Sequence, residues 1–142
     1  MNRDKARIRV ARVHERIANI RKDFLHKTST LLVEQNKTIA IEHLKIKNMM
    51  KNHKLARAIS DVSWSEFFRQ LEYKAELHGA EVLCIDTFYP SSQICSECGY
   101  QNVGTKNLGA RDRTCPKCGS HHDRDTNAAV NILRRALEKQ SA

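Results

Sequence analysis

No stretch of this 142-residue chain is apolar for long enough to span a membrane, and its start, Met1-Asn2-Arg3-Asp4-Lys5, has no apolar signal region. The first absence leaves no candidate for a membrane-spanning helix, and the second argues against export, so a cytoplasmic chain with reduced thiols is expected. Internal repeats and low-complexity tracts are missing too, which leaves one modest domain and a smaller attachment. A hydrophobic fraction of 40% is enough to build a core for it. Acid is the other scarcity: 16 Asp and Glu stand against 25 Lys and Arg, a formal charge of +9. Such a surplus points to a polyanionic partner, most often nucleic acid.

The basic residues are clustered. Residues 1–27 hold nine Lys and Arg against three acids, and residues 43–57 hold Lys45, Lys47, Lys51, Lys54 and Arg57 with no acid. A solvated face is the plain alternative for each cluster.

Four of the five cysteines fall in two matched knuckles, Cys95-Ser-Glu-Cys98-Gly and Cys115-Pro-Lys-Cys118-Gly, sixteen residues apart. A C-x2-C turn sets two sulfurs on one side of an ion, and a second turn closes a tetrahedron around it. The pattern predicts a structural zinc ribbon, with Cys95, Cys98, Cys115 and Cys118 as ligands. Two disulfides would need an oxidising compartment, and iron in a rubredoxin-like site uses similar knuckles, so redox chemistry stands as the alternative. The glycine after each second cysteine is read as room for a tight turn where a Cβ would crowd the metal. Cys84, inside Val82-Leu83-Cys84-Ile85, reads as a buried small hydrophobe.

Val10, Val13, Ile17, Ile20, Phe24, Leu31 and Leu32 recur at helical steps and predict one long amphipathic helix over about 4–35, basic on its other face. Thr38-Ile39-Ala40-Ile41-Glu42 then predicts a short buried strand with an acid at its end. The polar stretch to about residue 60 reads as a mobile loop. Ser63, as N-cap with Glu66 three residues on, opens a second helix that carries Trp64 and Phe68 into the core and stops at Gly79. Residues 81–88 form the next strand, and the βαβ order implies parallel pairing. Ala128, Ala129, Ile132, Leu133, Ala136 and Leu137 mark a closing helix whose start carries Asp123 and Asp125. Alone, those two acids are helix caps. Together with Glu42 and the basic segments, they are what a nuclease needs to hold divalent metal.

Several ordered blocks resemble TnpB-type proteins of insertion elements. They are Lys5-Ala6-Arg7 through Ser29-Thr30, Ile41-Glu42-His43-Leu44, Ser63-Trp64, Tyr73-Lys74, Pro90 through Gly99, Cys115 through Gly119 and Asp123 through Ile132. That family, long described as transposases and related to the type V CRISPR effector nucleases, has a RuvC-like, RNase H-type nuclease domain with an inserted zinc ribbon. Its full-length members are RNA-guided DNA endonucleases, so the resemblance implies DNA transposition and recombination as the setting.

For this chain the resemblance implies an α/β fold: a partial RuvC-like domain over 1–90 and 121–142, with a zinc ribbon over 91–120. Glu42 and Asp125 match catalytic acids, Asp123 is a supporting or capping acid, and Arg113, Lys45, Lys47 and Lys51 are candidate nucleic-acid contacts. Structural Zn²⁺, and catalytic Mg²⁺ in a complete site, are the implied cofactors. DNA and a guide RNA are the implied partners, with no membrane and no small-molecule substrate, in the cytoplasm or at the nucleoid. His43 stands where the family commonly has an acid or amide. The family's first catalytic aspartate, in an Asp-x-Gly turn, has no counterpart, and Asp4 lacks that context. The expectation is therefore a C-terminal fragment that is inactive alone. A stand-alone zinc-ribbon protein that binds nucleic acid without catalysis is the alternative, and a purely structural zinc protein is a third reading.

Overall fold

A computed structural model describes residues 2–102 and 111–141. In chain order these form α1 (Asn2–Gln35), β1 (Thr38–Glu42), α2 (Ile46–Met49), α3 (Ala56–Val62), α4 (Trp64–His78), β2 (Glu81–Ile85), β3 (Asp112–Thr114), β4 (His121–Asp123) and α5 (Arg124–Gln140). They fall into two compact units. One holds the chain up to Lys37 and Ile46–Glu81, and the other holds Thr38–Lys45 and the chain from Val82 onward. The interval 103–110, part of the expected ribbon, lies outside the described residues.

The first unit is helical. Thirty-four residues make α1 about 50 Å long at 1.5 Å per residue, and it packs on α4. The face it buries is Leu25, Ser29 and Val33, one residue per turn, and not the apolar stripe seen in the sequence. Val10, Val13, Ile17, Ile20, Phe24 and Leu31 are 48–64% exposed. Ser29 explains the offset, because a small residue lets α4 approach closely where Leu31 would hold it away. The contact is polar at its centre. Lys74 Nζ donates to His26 O at 2.6 Å, Ser29 Oγ at 2.8 Å and Thr30 Oγ1 at 2.7 Å, and Gln70 Oε1 lies 3.0 Å from Ser29 Oγ. Three acceptors match the three protons of an ammonium group. Burial nevertheless pushes the Lys74 pKa below the ordinary lysine range.

Three expectations are corrected in this unit. The stretch read as a mobile loop carries two short helices, α2 and α3. Ser63 is not a side-chain cap: it is the single joint between α3 and α4, held at a φ of 55°, and only its backbone carbonyl takes the Glu66 and Phe67 N–H groups. A one-residue joint holds Ser63 in the left-handed region, and its side chain makes no cap hydrogen bond to the helix it precedes. Trp64 and Phe68 are half-buried rather than core, with ring centroids 5.9 Å apart. Leu71 and Ala75 are the apolar residues of α4 that are fully covered.

β1 and β2, which apart from Glu81 belong to the second unit, pair. Lys37 O accepts from Glu81 N at one end, and His43 N donates to Ile85 O at the other, so starts meet starts and the strands run parallel. β2 ends at Ile85, earlier than expected, because Tyr89 N turns back onto Asp86 O at 3.1 Å. The Asp86 carboxylate is drawn to α5 instead, 2.9 Å from Lys139 Nζ. Cys84 is exposed, which corrects its expected burial: alternation along the strand turns Ile85 inward and Cys84 out. α5 packs on β1. The β3–β4 hairpin pairs Asp112 with Asp123, Arg113 with His122 and Thr114 with His121.

Replacing Lys74 by Met leaves Ser29, Thr30 and the His26 carbonyl without their donor in a buried contact. The expected loss is about 1–3 kcal/mol in chemical denaturation. Leu77→Ala, on the exposed side of the same helix, should stay within about 0.5 kcal/mol of the parent.

Candidate functional site

The two cysteine knuckles are built alike. In the first, Gly99 N donates to Cys95 O at 2.9 Å and Cys95 N to Tyr100 O at 2.9 Å; in the second, Gly119 N donates to Cys115 O at 2.9 Å and Cys115 N to Ser120 O at 2.8 Å. Gly99 and Gly119 sit at φ of 71° and 76°. A Cβ added at either would meet nothing within 4 Å, so the expected crowding under the metal is absent. The glycines are needed for the left-handed backbone alone. An antiparallel bridge, Ile94 with Gln101, flanks the first knuckle as the β3–β4 hairpin flanks the second.

Together the knuckles bring the four sulfurs within 4.8 Å of one another. Cys95 and Cys118 are 3.7 Å apart, as are Cys98 and Cys115, each pair taking one sulfur from each knuckle. A tetrahedron with metal–sulfur bonds near 2.3 Å has an edge of about 3.8 Å. The spacing therefore fits a four-thiolate metal site such as that of zinc, and it is far too long for disulfide bonds.

The electrostatics agree. Burial works against a thiolate at Cys95, but the Cys98 and Glu97 N–H groups and the His122 ring outweigh it and bring the thiol down to about 5. The Tyr100 N–H favours a thiolate at Cys98, yet burial and the neighbouring thiols push that group up to about 12. Four sulfurs this close cannot all ionise unless a cation sits among them. Outside the ligands, His122 Nε2 lies 3.2 Å from Cys95 Sγ, and Ser120 Oγ lies 2.6 Å from Cys118 Sγ. Neither residue had been singled out from the sequence.

The acids are arranged differently. Glu42 ends β1, half-buried, and its Oε1 accepts a 2.6 Å hydrogen bond from Ser91 Oγ. Asp123 is the N-cap of α5: its Oδ1 accepts from Thr126 N at 2.7 Å, and that bond holds its carboxyl below the usual range. Asp125 lies in the first turn of α5, exposed, with Arg124 Nε 3.1 Å from Oδ1. The contact between β1 and α5 thus makes neighbours of the elements that carry Glu42 and Asp125. Among the described residues, the cysteines are the one group of three or more such side chains close enough to share an ion, and the acids do not form a second.

Of the expected nucleic-acid contacts, Arg113 is half-buried and donates to Ile94 O at 2.8 Å. Lys45 is exposed and lies over the Phe88 ring, 5.0 Å from its centroid. Lys47 in α2 and Lys51 just after it are exposed.

Residues 64–132 match a family model described as "Cas12f1-like, TNB domain", and residues 1–53 one described as "Probable transposase". A protein of Streptomyces pristinaespiralis named "Putative RNA-guided DNA endonuclease" is 53% identical over 136 residues, a match covering 96% of this chain and 33% of that protein. A TnpB-like protein of Acanthamoeba polyphaga mimivirus is 33% identical over 132 residues, 88% of this chain and 24% of its own length. The chain thus spans about a third or less of the curated relatives it matches. Among solved structures, a Cas12f1–sgRNA–target DNA complex superposes with a TM-score of 0.67 at 20% identity, over 87% of this chain and 36% of that one. The fold is accordingly that of a RuvC-like α/β domain, present here in part, with its four-cysteine ribbon. Matched by both family models and by these relatives, the chain belongs to the TnpB-type family of insertion-element proteins and corresponds to a C-terminal part of its longer members.

Proposed function

We propose that this chain supplies part of the nuclease centre, and the zinc ribbon, of an RNA-guided DNA endonuclease linked to transposition. The observation that carries this reading is the packing of β1 on α5, which makes neighbours of the two elements bearing Glu42 and Asp125. In this reading residues 1–90 and 121–142 are the partial nuclease domain, 91–120 is the ribbon, and the four thiolates hold Zn²⁺. Glu42 and Asp125 hold Mg²⁺, while Asp123 serves the helix end.

When bound, such an ion activates water and stabilises the leaving oxygen of a phosphodiester. The chain's own part is to orient the two carboxylates. Its exposed cations, Lys45, Lys47 and Lys51 among them, draw in the backbone of DNA or of a guide RNA. Arg113 acts through the ribbon by holding Ile94.

The purified chain is expected to carry one Zn²⁺, and Co²⁺ in its place should give the absorption of a tetrahedral thiolate site. Cys98→Ser should release the metal and unfold the ribbon, read by metal analysis and near-ultraviolet dichroism, because binding and folding are coupled there. Retention of stoichiometric metal by that variant would remove Cys98 from the ligand set.

Glu42→Gln and Asp125→Ala should each weaken Mn²⁺ binding, measured by the loss of the free-ion electron paramagnetic signal, while leaving DNA affinity intact. If neither changes Mn²⁺ affinity, the chain is better described as a nucleic-acid-binding ribbon protein with idle acids. In both cases affinity for DNA should fall steeply as salt rises, since each neutralised phosphate releases counterions. A flat salt dependence would refute nucleic-acid binding altogether.

A further inference from the structure

The Glu42 side chain has a single hydrogen-bond partner among the described residues, and that partner is not a surface group. Ser91, 6% exposed, lies in the loop that leads from β2 to the first knuckle, and its Oγ donates to Glu42 Oε1 at 2.6 Å. The backbone on either side of that hydroxyl is tied down. Ser91 N donates to Tyr89 O at 2.8 Å, and Ser91 O accepts from Asn131 Nδ2 at 2.9 Å.

Asn131, 2% exposed, uses the second proton of the same amide on Ile94 O, at 2.7 Å. Ile94 directly precedes Cys95, and its carbonyl also receives Asn127 Nδ2 at 2.7 Å and Arg113 at 2.8 Å. Asn127 Oδ1 takes Ser96 N at 2.9 Å on the far side of the cysteine. Asn127 and Asn131, one turn apart on α5, therefore grip the chain on both sides of Cys95 and at Ser91. Buried amides are costly to leave unpaired, so this clamp has little slack.

We propose that Ser91 is a positioning residue for Glu42, and that the closed cysteine site holds it in place. With Cys95 held in a closed thiolate site, Ile94 and Asn131 set the Ser91 backbone, and the hydroxyl on Oε1 keeps the Glu42 carboxylate in one rotamer, from which it would hold a divalent ion. This inference rests on the reading of Glu42 as a metal-holding acid. It gives the ribbon a second duty: loss of metal from the thiolates disorders the carboxylate.

The test uses the purified chain as wild type, Ser91→Ala, Ser91→Thr and Glu42→Gln, each checked for one Zn²⁺ per chain. Rotamer populations of Glu42 are read from side-chain couplings in carbon-13-labelled protein, and Mn²⁺ affinity is read separately. Ser91→Ala should average the Glu42 rotamers and weaken Mn²⁺ binding about tenfold, as loss of an outer partner of a metal ligand does. Ser91→Thr, which keeps the hydroxyl, should restore both. Stripping zinc from the wild type should reproduce the averaging seen in Ser91→Ala and add nothing to that variant.

Unchanged Glu42 rotamers in Ser91→Ala would overturn the positioning role. Unchanged rotamers after zinc removal would overturn the coupling to the ribbon. If Glu42→Gln leaves Mn²⁺ affinity untouched, the metal reading of Glu42 fails instead, and the rotamer result still decides whether Ser91 holds it.

Discussion

Four sulfurs held within 4.8 Å of one another, two pairs of them at 3.7 Å, by two turns of matching hydrogen bonding form an arrangement that is unstable without a cation. Much of the second unit hangs on it. The knuckles join a strand bridge and a hairpin, the hairpin leads into α5, and α5 reaches back with two asparagines to grip the first knuckle. With few apolar residues buried among the described residues of this unit, buried amides do part of the work that a hydrophobic core does in a larger domain, and a metal on the four thiolates would do more.

Buried polar contact is the common theme of both units. In the helical unit, Lys74 reaches three oxygens of α1, where apolar packing alone would be the usual solution. In the other unit, Asn127 and Asn131 do the same for a loop. Such contacts add little net stability, since each replaces hydrogen bonds to water, but they tolerate only one register. That intolerance is useful where a carboxylate must be presented to within a fraction of an ångström.

Membership of the TnpB-type family gives these devices a setting. The structural relatives include a Cas12f1 complex with sgRNA and target DNA, and in this chain β1 and α5 pack together. Residues expected to meet nucleic acid divide by environment. Arg113 is occupied in holding Ile94, whereas Lys47 and Lys51 are exposed. A basic residue near a motif can therefore serve the motif's own structure, and only its surroundings tell which.

What the sequence determined by itself was what local spacing can carry: the two cysteine knuckles, because C-x2-C is a turn between near neighbours; the strand ending in Glu42; and the helix capped by Asp123. Family resemblance was equally legible, since it resides in short motifs. Tertiary structure alone decided which face of α1 is buried, because Ser29 is chosen by the approach of α4 and not by the hydrophobic period. It alone decided that Cys84 points outward, that Ser63 is a joint, and that Ser91 meets Glu42 across 49 residues of chain. The difference is one of range: turns, caps and alternation are set by neighbours within a few residues, whereas a hydrogen bond between distant side chains exists only once the elements carrying them have packed.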